Sequence, residues 1–251
     1  MNLTSQEISA AARRSELALA EQASQWESLA FGVAFWSPLF PGSPETNQLR
    51  DAWLGEPPDP QTYEKVEAYF ASRASRCLRW APAAQQPVAP LAELLTARGW
   101  VEERLSTWGL VRTDAVATAE PGALRILPAR AMPKAFQATF DSPADGALAV
   151  ERLNDSRQDM FVAVDAGRGI GRIGYLQVGD IARLTDLFVA PGARRRGTAK
   201  TLVARFVQQV RRLGPRATVA VVPPQFAEHE SFLERCGFVR GEDLVQFVRA
   251  T

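Results

Sequence analysis

A turn made of arginine and glycine, followed by a strongly patterned stretch, constrains the fold of this chain more than any other segment. The turn, Arg194–Gly197, comes after an apolar run at Leu187–Val189. Beyond it, apolar residues recur three or four positions apart, as on one side of a helix. They are Leu202, Val203, Phe206, Val207, Val210 and Leu213. Gly214–Pro215 ends this pattern. The sequence therefore predicts a strand, a tight turn and a helix over residues 198–213.

The composition of the turn is typical of an anion site. The first N–H groups of a helix have no partner within it, and the positive end of the helix dipole lies there. Gly197 lets the backbone approach a ligand, and the three arginines before it add positive charge. We therefore expect a pyrophosphate at this turn, whose spacing matches neither the nucleoside-triphosphate loop nor the dinucleotide fingerprint. The predicted contacts are Arg194, Arg195, Arg196, Gly197, Thr198, Ala199 and Lys200.

Composition excludes several classes of protein. The chain has 251 residues, of which 46% are hydrophobic and 23% charged, an ordinary globular composition. Its longest apolar run, Leu29–Trp36, is far shorter than the ~20 residues of a membrane-spanning helix. The N-terminus lacks the pattern of a secretory signal, so we expect a cytoplasmic protein without a membrane partner. A single histidine and the isolated Cys77 and Cys236 predict no metal site and argue against a Ser-His-Asp triad.

Charge divides unevenly along the chain. Residues 1–115 carry ten basic and 14 acidic side chains, whereas residues 116–251 carry 19 and 14. The second part is therefore positive, and most of its excess comes from arginine. Clustered arginines without interleaved aromatic residues suit a small anionic ligand better than a nucleic acid. We expect no nucleic-acid partner.

The chain alternates between helical and extended patterns, and the alternation begins again after a link at residues 113–121. Residues 41–60, rich in Pro, Gly and Ser, predict a long loop of the kind that is usually functional or mobile. The predicted helices are 5–25, 61–72, 90–98, 128–140, 143–153, 198–213 and 226–236. The predicted strands are 29–36, 77–80, 105–111, 124–127, 161–164, 173–178, 184–189, 218–222 and 244–248. This order predicts an α/β fold with a sheet of mixed direction.

Three segments of the second part resemble the GNAT superfamily of N-acetyltransferases. Arg194–Ala199 is similar to the family signature, Arg/Gln-x-x-Gly-x-Gly/Ala, between its fourth strand and third helix. Leu187–Pro191 resembles the family's bulged strand, and Ser231–Phe238 its aromatic helix ending in Gly-Phe. The resemblance spans about residues 120–251 and implies a mixed, mostly antiparallel central sheet flanked by helices. It also implies acetyl-CoA as co-substrate, with its pantetheine arm along Leu187, Phe188 and Val189.

A second resemblance is internal. Leu94–Val101 aligns with Phe232–Val239 at a constant spacing of 138 residues, and a predicted strand follows each segment. This indicates a duplication, although coincidence of one short motif is an alternative. No arginine–glycine signature occurs in the first part. We therefore predict a tandem of two GNAT-like domains: a degenerate, partial module at 1–115, which binds no CoA and contributes to the acceptor pocket, and a complete catalytic domain at 120–251.

The resemblance leaves the catalytic groups open. The acceptor ammonium must lose a proton before its nitrogen attacks the thioester, and the departing thiolate must gain a proton or a hydrogen bond. The family's usual tyrosine acid is replaced by Leu233, while Phe226 and His229 stand where the family has Asn and Ala. His229 is a candidate acid or base, or simply a helix histidine, and Tyr175 is a candidate replacement donor. Asp186 is a candidate base or holder of a bridging water, with a structural role as its alternative.

The sequence thus predicts an acetyl-CoA-dependent N-acetyltransferase that transfers the acetyl group directly to a primary amine, of a small molecule rather than a protein. Protein N-acetylation remains an alternative. Leu233 in place of the tyrosine motivates a second one, a non-catalytic acyl-CoA-binding regulatory module. A nucleic-acid binder is a third, resting only on the basic second part. We expect a monomer or homodimer.

Overall fold

The computed structural model describes residues 3–115 and 124–249. Its helices are α1 (Ser5–Glu21), α2 (Pro60–Ala71), α3 (Val88–Thr96), α4 (Pro133–Gln137), α5 (Pro143–Arg152), α6 (Thr198–Leu213) and α7 (Glu228–Arg235). The first strands are β1 (Gln25–Leu29), β2 (Gly32–Trp36), β3 (Gln48–Ala52), β4 (Arg79–Pro82), β5 (Trp100–Leu110) and β6 (Arg125–Pro128). The others are β7 (Gln158–Asp165), β8 (Arg168–Val178), β9 (Ile181–Val189), β10 (Ala217–Val222), β11 (Phe238–Arg240) and β12 (Leu244–Arg249). None of these described helices is long and apolar enough to cross a membrane.

The described chain forms two compact units. The C-terminal unit contains residues 3–15, 106–115 and 124–242, and the N-terminal unit contains residues 16–105 and 243–249. Helix α1 and strand β5 divide between the two units, and the last strand, β12, belongs to the N-terminal unit. Residues 3–15 therefore belong with the second half of the chain, and residues 243–249 belong with the first half. This differs from a simple division at residues 115–120. The functional roles assigned to the two parts of the sequence stay predictions.

The sheet of the C-terminal unit has the order β5–β10–β9–β8–β7–β6, with β11 also paired to β5. Only β9 and β10 are parallel among its described pairs. Alternate residues of β7 face opposite sides, as in any strand. Phe161 packs with Phe206 of α6 on one face, whereas Met160 packs with Phe136 of α4 on the other. Helices α6 and α7 therefore cover one face, and α4 and α5 cover the other.

The N-terminal unit repeats this layout on a smaller scale. Its sheet runs β1–β2–β3–β4–β12 and then the first half of β5, and only β3 and β4 are parallel among its described pairs. Helices α2 and α3 bury their apolar sides against Trp80, Trp100 and Phe247. Arg50 and Glu16 form a buried ion pair, with 2.6 Å between Nη2 and Oε2. Removing one partner of such a pair is costly because the other charge stays buried.

The fold class agrees with the sequence prediction: the structure is mixed α and β with mostly antiparallel sheets. Helix α6 has the predicted bounds, 198–213. The predicted link at 113–121 begins with a short 3-10 turn over Thr113–Ala115, and residues 116–121 lie outside the described part.

Other elements correct the prediction. The single strand predicted at 29–36 is a hairpin of β1 and β2 with its turn at residues 30–31. The long loop predicted at 41–60 contains β3. The helix predicted at 128–140 is a 3-10 turn, Ala129–Ala131, followed by the short α4. Pro133 explains this break, because it lacks the N–H group that the interior of a continuous helix needs.

Gly174 offers a test of the sheet packing. A Cβ atom at this position of β8 would overlap Thr185 Oγ1 and Met160 Sδ, both of which are buried. We expect Gly174→Ala to lower the free energy of unfolding by about 1–3 kcal/mol, the usual cost of overpacking. Gly42→Ala is the control, since no atom lies within 4 Å of its added Cβ. Urea denaturation of both variants measures the difference, and equal stability would contradict the packing at β8.

Candidate functional site

A bulge interrupts β9 before its last residues. Along the β8–β9 ladder, Gly174 pairs with Thr185 but Arg172 pairs with Phe188, so β9 has one residue more than β8 between these pairs. Asp186 lies within this bulge and has a φ of +52°, a value uncommon for residues other than glycine. The side chain of Asp186 is half-buried. The predicted resemblance of this segment to a bulged strand agrees with this geometry.

The sheet opens beside the bulge. Strands β9 and β10 pair in parallel from Ile181–Ala217 to Leu184–Ala220, and among the described residues the pairing stops there, although both strands continue. The N–H of Ala190 donates to Ile170 O, 2.9 Å away, on the β8 side. Because neighbouring residues of a strand point their N–H groups to opposite edges, the N–H of Val189 faces the gap beside β10. We call this gap, bordered by residues 185–189 of β9 and the end of β10, the open slot.

The arginine–glycine turn follows the open slot directly. Gly197 precedes α6 with a φ of +81°, and no side chain caps the helix. Thr201 N–H donates to Gly197 O (3.0 Å), but the N–H groups of residues 198–200 have no hydrogen-bond acceptor among the described residues. Thr198 Oγ1 donates to Ala193 O (3.1 Å) and fixes the turn. The result is a bare, rigid helix N-terminus of the kind that binds phosphate groups.

Positive charge surrounds this helix end. Arg195, Arg196 and Lys200 are exposed, and Arg194 is exposed as well, with its Nε donating to Val189 O (3.1 Å). That hydrogen bond places the Arg194 guanidinium at the end of the open slot. The slot and the turn therefore form one continuous site, able to hold an extended chain along β9 and an anion at α6. The structure brings together all the predicted ligand contacts, residues 187–189 and 194–200.

His229 lies at the start of α7, near the turn. Its ring stacks on Phe226, with 5.5 Å between ring centroids and 7° between planes. Burial lowers the pKa of His229; the negative charge of Glu228 opposes this effect and the positive charge of Arg194 adds to it. Because the charge of Arg194 acts on the imidazole, we expect His229 to lie near the end of the open slot. A lowered pKa leaves the imidazole neutral at pH 7, able to accept a proton.

Tyr175 lies elsewhere, in the core beneath α6. Only 3% of its surface is exposed, and its ring is 5.9 Å from that of Phe206. Its hydroxyl has no hydrogen-bond partner among the described residues. Burial, and then the negative charge of Asp159, raises the pKa of Tyr175. This environment favours packing; a role for Tyr175 as proton donor stays a prediction.

The N-terminal unit contains a matching strand. Leu49–Leu54 aligns without gaps with Leu184–Val189, and both segments read Leu-x-Asp followed by an apolar, an aromatic and an apolar residue. The ladder between β3 and β4 also shifts register between Leu49 and Ala52, and Asp51 has a φ of +49°, as Asp186 does in β9. This second correspondence supports the predicted internal duplication.

In this copy the gap is closed. The β3–β4 ladder continues past the bulge to Ala52–Pro82, and Ala83 N–H donates to Ala52 O (3.0 Å). Beyond that point the buried side-chain amide of Gln86 accepts from Leu54 N–H (2.8 Å) and donates to Gly55 O (3.3 Å). Leu54 corresponds to Val189, so Gln86 occupies the backbone position that stays open in β9.

The following turn is also unsuited to an anion. Gly55–Pro60 contains Glu56, Asp59 and three prolines where the C-terminal unit has arginines and glycine. The carboxylate of Asp59 accepts from Gln61 N–H and Thr62 Oγ1, both at 2.9 Å, and caps α2. An anion would meet a carboxylate and few N–H donors here. This turn is therefore no counterpart of the arginine–glycine turn, and the absence of CoA binding in the first part of the chain stays a prediction.

Comparison with known proteins agrees with this geometry. Residues 156–240 match the family model described as an acetyltransferase (GNAT) domain. This segment contains the bulge, the open slot, the turn and α7. This part of the C-terminal unit is therefore similar to a GNAT acetyltransferase domain. No curated protein is similar enough in sequence to match the chain.

Solved structures share the fold over two thirds of the chain or more. A GCN5-related N-acetyltransferase from Kribbella flavida has a TM-score of 0.65 and 15% identity, covering 100% of this chain and 97% of its own. A conserved protein of unknown function from Staphylococcus epidermidis has a TM-score of 0.71 and 11% identity, covering 91% and 94%. A GCN5-related N-acetyltransferase from Sphaerobacter thermophilus has a TM-score of 0.50 and 16% identity, covering 67% and 58%. These likenesses show the fold.

Two clusters near the site were not predicted from the sequence. Trp108 Nε1 donates to Ser106 Oγ (3.0 Å), which donates to Glu230 Oε1 (2.6 Å), and this chain fixes the first turn of α7 beside His229. On the other face of the sheet, Arg172 lies between two aromatic rings. Both clusters join residues far apart in the sequence, so no local pattern indicated them.

Within the described part of the chain, no three His, Cys, Asp or Glu side chains come together in a group that could hold a metal ion.

The role of Gln86 in closing the edge of β3 can be tested directly. Gln86→Ala leaves the buried Leu54 N–H without an acceptor, so we expect a loss of about 1–3 kcal/mol in the free energy of unfolding. Gln85→Ala is the matched control, because Gln85 is exposed. Thermal and urea denaturation measure both variants. Equal stability of the two would show that Gln86 does not seal the strand edge.

Proposed function

We propose that this protein is an acetyl-CoA-dependent N-acetyltransferase acting on the primary amine of a small molecule. The observation that carries the proposal is the continuity of the open slot with the bare N-terminus of α6, within the segment that matches the GNAT family model. A pantetheine arm pairs with a strand edge through its amides, and a pyrophosphate needs N–H donors and positive charge. The open slot offers the strand edge, and the turn that follows it offers the N–H donors and the positive charge.

Each part of the co-substrate has a proposed contact. The N–H of Val189 takes a pantetheine amide oxygen, while the half-buried Leu187 and Val189 side chains pack toward α6. The N–H groups of residues 198–200 and the exposed Arg195, Arg196 and Lys200 hold the pyrophosphate. With the phosphates at α6, the thioester lies near the bulge, where the parallel pairing ends at Leu184. The chain binds one acetyl-CoA, because the N-terminal unit has its matching strand sealed.

The acceptor nitrogen must lose two protons, and the departing sulfur must gain one. The ammonium gives up its first proton, its nitrogen attacks the thioester carbonyl, and the C–S bond breaks to release the thiolate. As the amide forms, the second proton of the nitrogen passes to the thiolate. Asp186 on the bulge holds the ammonium or a bridging water. His229, neutral at pH 7 because of burial and Arg194, accepts the proton. Leu233, only 2% exposed in the core, occupies the family's tyrosine position and supplies no acid.

The acceptor is proposed to be small because of the surroundings of the bulge. Asp186 is half-buried. On the face opposite α6, the half-buried rings of Phe188 and Phe140 lie against the guanidinium of Arg172. A recessed site of this kind favours a small ligand over a flat protein surface. Acetylation of proteins only, detected by mass spectrometry, would replace this acceptor class with a protein amine.

The direct test is calorimetric titration of acetyl-CoA followed by a thiol-release assay on a panel of amines. We expect saturable binding at one site per chain and thiol release with at least one amine. Binding without release on amines and proteins alike would support the regulatory alternative. Absence of binding would contradict the proposal.

A charge reversal at the turn tests where the pyrophosphate lies. We expect Arg196→Glu to weaken acetyl-CoA binding by about tenfold or more, roughly 1.4 kcal/mol, because a carboxylate would face the phosphates. Arg212→Glu makes the same charge change at the exposed far end of α6. Its effect should stay within about twofold, because screening weakens charges a Debye length away. Equal weakening by both variants would refute a local phosphate site.

The lowered pKa of His229 predicts an acid limb in the pH–rate profile. Imidazolium cannot accept a proton, so kcat/KM should fall on the acid side, with its midpoint below the ordinary value of 6.5. His229→Gln should remove this limb and lower kcat by about a hundredfold or more, while calorimetry shows acetyl-CoA binding retained. A profile unchanged in His229→Gln would exclude His229 as the base.

A further inference from the structure

A stacked arginine borders the bulge on the face opposite α6. Arg172 on β8 is the cross-strand partner of Phe188 on β9. The central carbon of its guanidinium is 3.6 Å from the ring centroid of Phe140 and 4.6 Å from that of Phe188. Its Nη1 also donates to Thr139 O, in the turn between α4 and α5. A half-buried positive charge is therefore held in a fixed orientation between two rings.

The position of this cluster relates it to the acceptor rather than to the co-substrate. Gly171, the neighbour of Arg172, faces Leu202 and Thr198 of α6, so Arg172 faces the other side of the sheet. The phosphates and α6 lie on the first side. An amine that attacks the thioester from the second side passes Phe188, which stands two residues, about 6–7 Å, from Asp186.

The chemistry of the Arg172 cluster favours an acceptor that carries a negatively charged group. A guanidinium carries N–H donors in a planar fork that matches a carboxylate, and flanking rings keep that plane fixed. A second cation would be repelled at this place, whereas an apolar chain would gain only ring contacts. Asp186, two residues before Phe188 on β9, provides the negative charge that an ammonium needs.

We infer that the acceptor is an amine that also bears a carboxylate, which Arg172 binds while the amino group lies at Asp186. This inference rests on the proposed acetyltransferase function and deepens it. It predicts discrimination among acceptors of equal length. An amino acid is preferred to the alkylamine that lacks the carboxylate, and the alkylamine to the diamine.

The first experiment needs no variant. Steady-state rates are measured for 4-aminobutyrate, butylamine and 1,4-diaminobutane, and likewise for phenylalanine and phenethylamine, all at saturating acetyl-CoA. We expect kcat/KM to be about tenfold or more higher for the member of each set that carries a carboxylate, as for a charge-assisted hydrogen bond. Equal rates within both sets, or a preference for the diamine, would overturn the inference while leaving the acetyltransferase function intact.

Variants then assign the preference to Arg172. Arg172→Gln should raise KM for the amino acids about tenfold or more and leave KM for the alkylamines and calorimetric acetyl-CoA affinity unchanged. Arg172→Lys keeps the charge without the planar fork and should recover only part of the preference. Arg168→Gln, at an exposed position of the same strand, is the control and should behave as wild type.

Two further results would overturn the inference, and a third would overturn the proposed function. A drop of equal size for all acceptors in Arg172→Gln, with a lowered melting temperature, would reduce Arg172 to a structural role and overturn the inference. A carboxylate preference that survives in Arg172→Gln would also overturn it. Failure of the wild-type protein to bind acetyl-CoA, or to release thiol with any amine, would instead refute the proposed function on which the inference rests.

Discussion

The end of the parallel pairing between β9 and β10 is the constraint on which the site depends. Because the ladder stops at Leu184–Ala220, the last residues of β9 keep a free edge inside the sheet. The bulge at Asp186 turns that edge, and Gly197 turns the chain again, so that α6 begins at the end of the slot with unpaired N–H groups. A strand edge and a helix end are both costly to leave unsatisfied in a core, and these are the groups that we propose to bind the ligand.

The N-terminal unit shows the same layout with its strand edge closed. Its β3 keeps the bulge at Asp51, but β4 stays paired beyond it and Gln86 supplies the amide that satisfies the remaining backbone groups. Asp59 caps α2 with its own carboxylate at the place where the other unit gathers arginines. Sealing the edge from within satisfies the backbone without a ligand. The two units thus retain one architecture, with an open site in one and a closed site in the other.

The sequence predicted what short-range patterns encode. The stripe of α6 and the turn before it were predicted correctly, because both follow from local spacing and from glycine and arginine side by side. Strand β3 was missed because its residues, Gln48–Ala52, mix polar and apolar types whose burial depends on neighbouring strands. The Arg172 cluster escaped for a related reason: it forms only when Phe140 and Phe188 meet across the fold. Local patterns therefore predicted the turn at which we propose the phosphates, and long-range packing determines the cluster at which we propose the acceptor.

Amide hydrogen exchange with and without acetyl-CoA tests the central claim most directly, because it reads the backbone groups that the site is proposed to use. We expect acetyl-CoA to slow amide exchange in residues 186–200, from the bulge through the first turn of α6. The exchange rates of the matching segment 49–61 should not change. No protection in residues 186–200, or equal protection in both segments, would contradict the central claim.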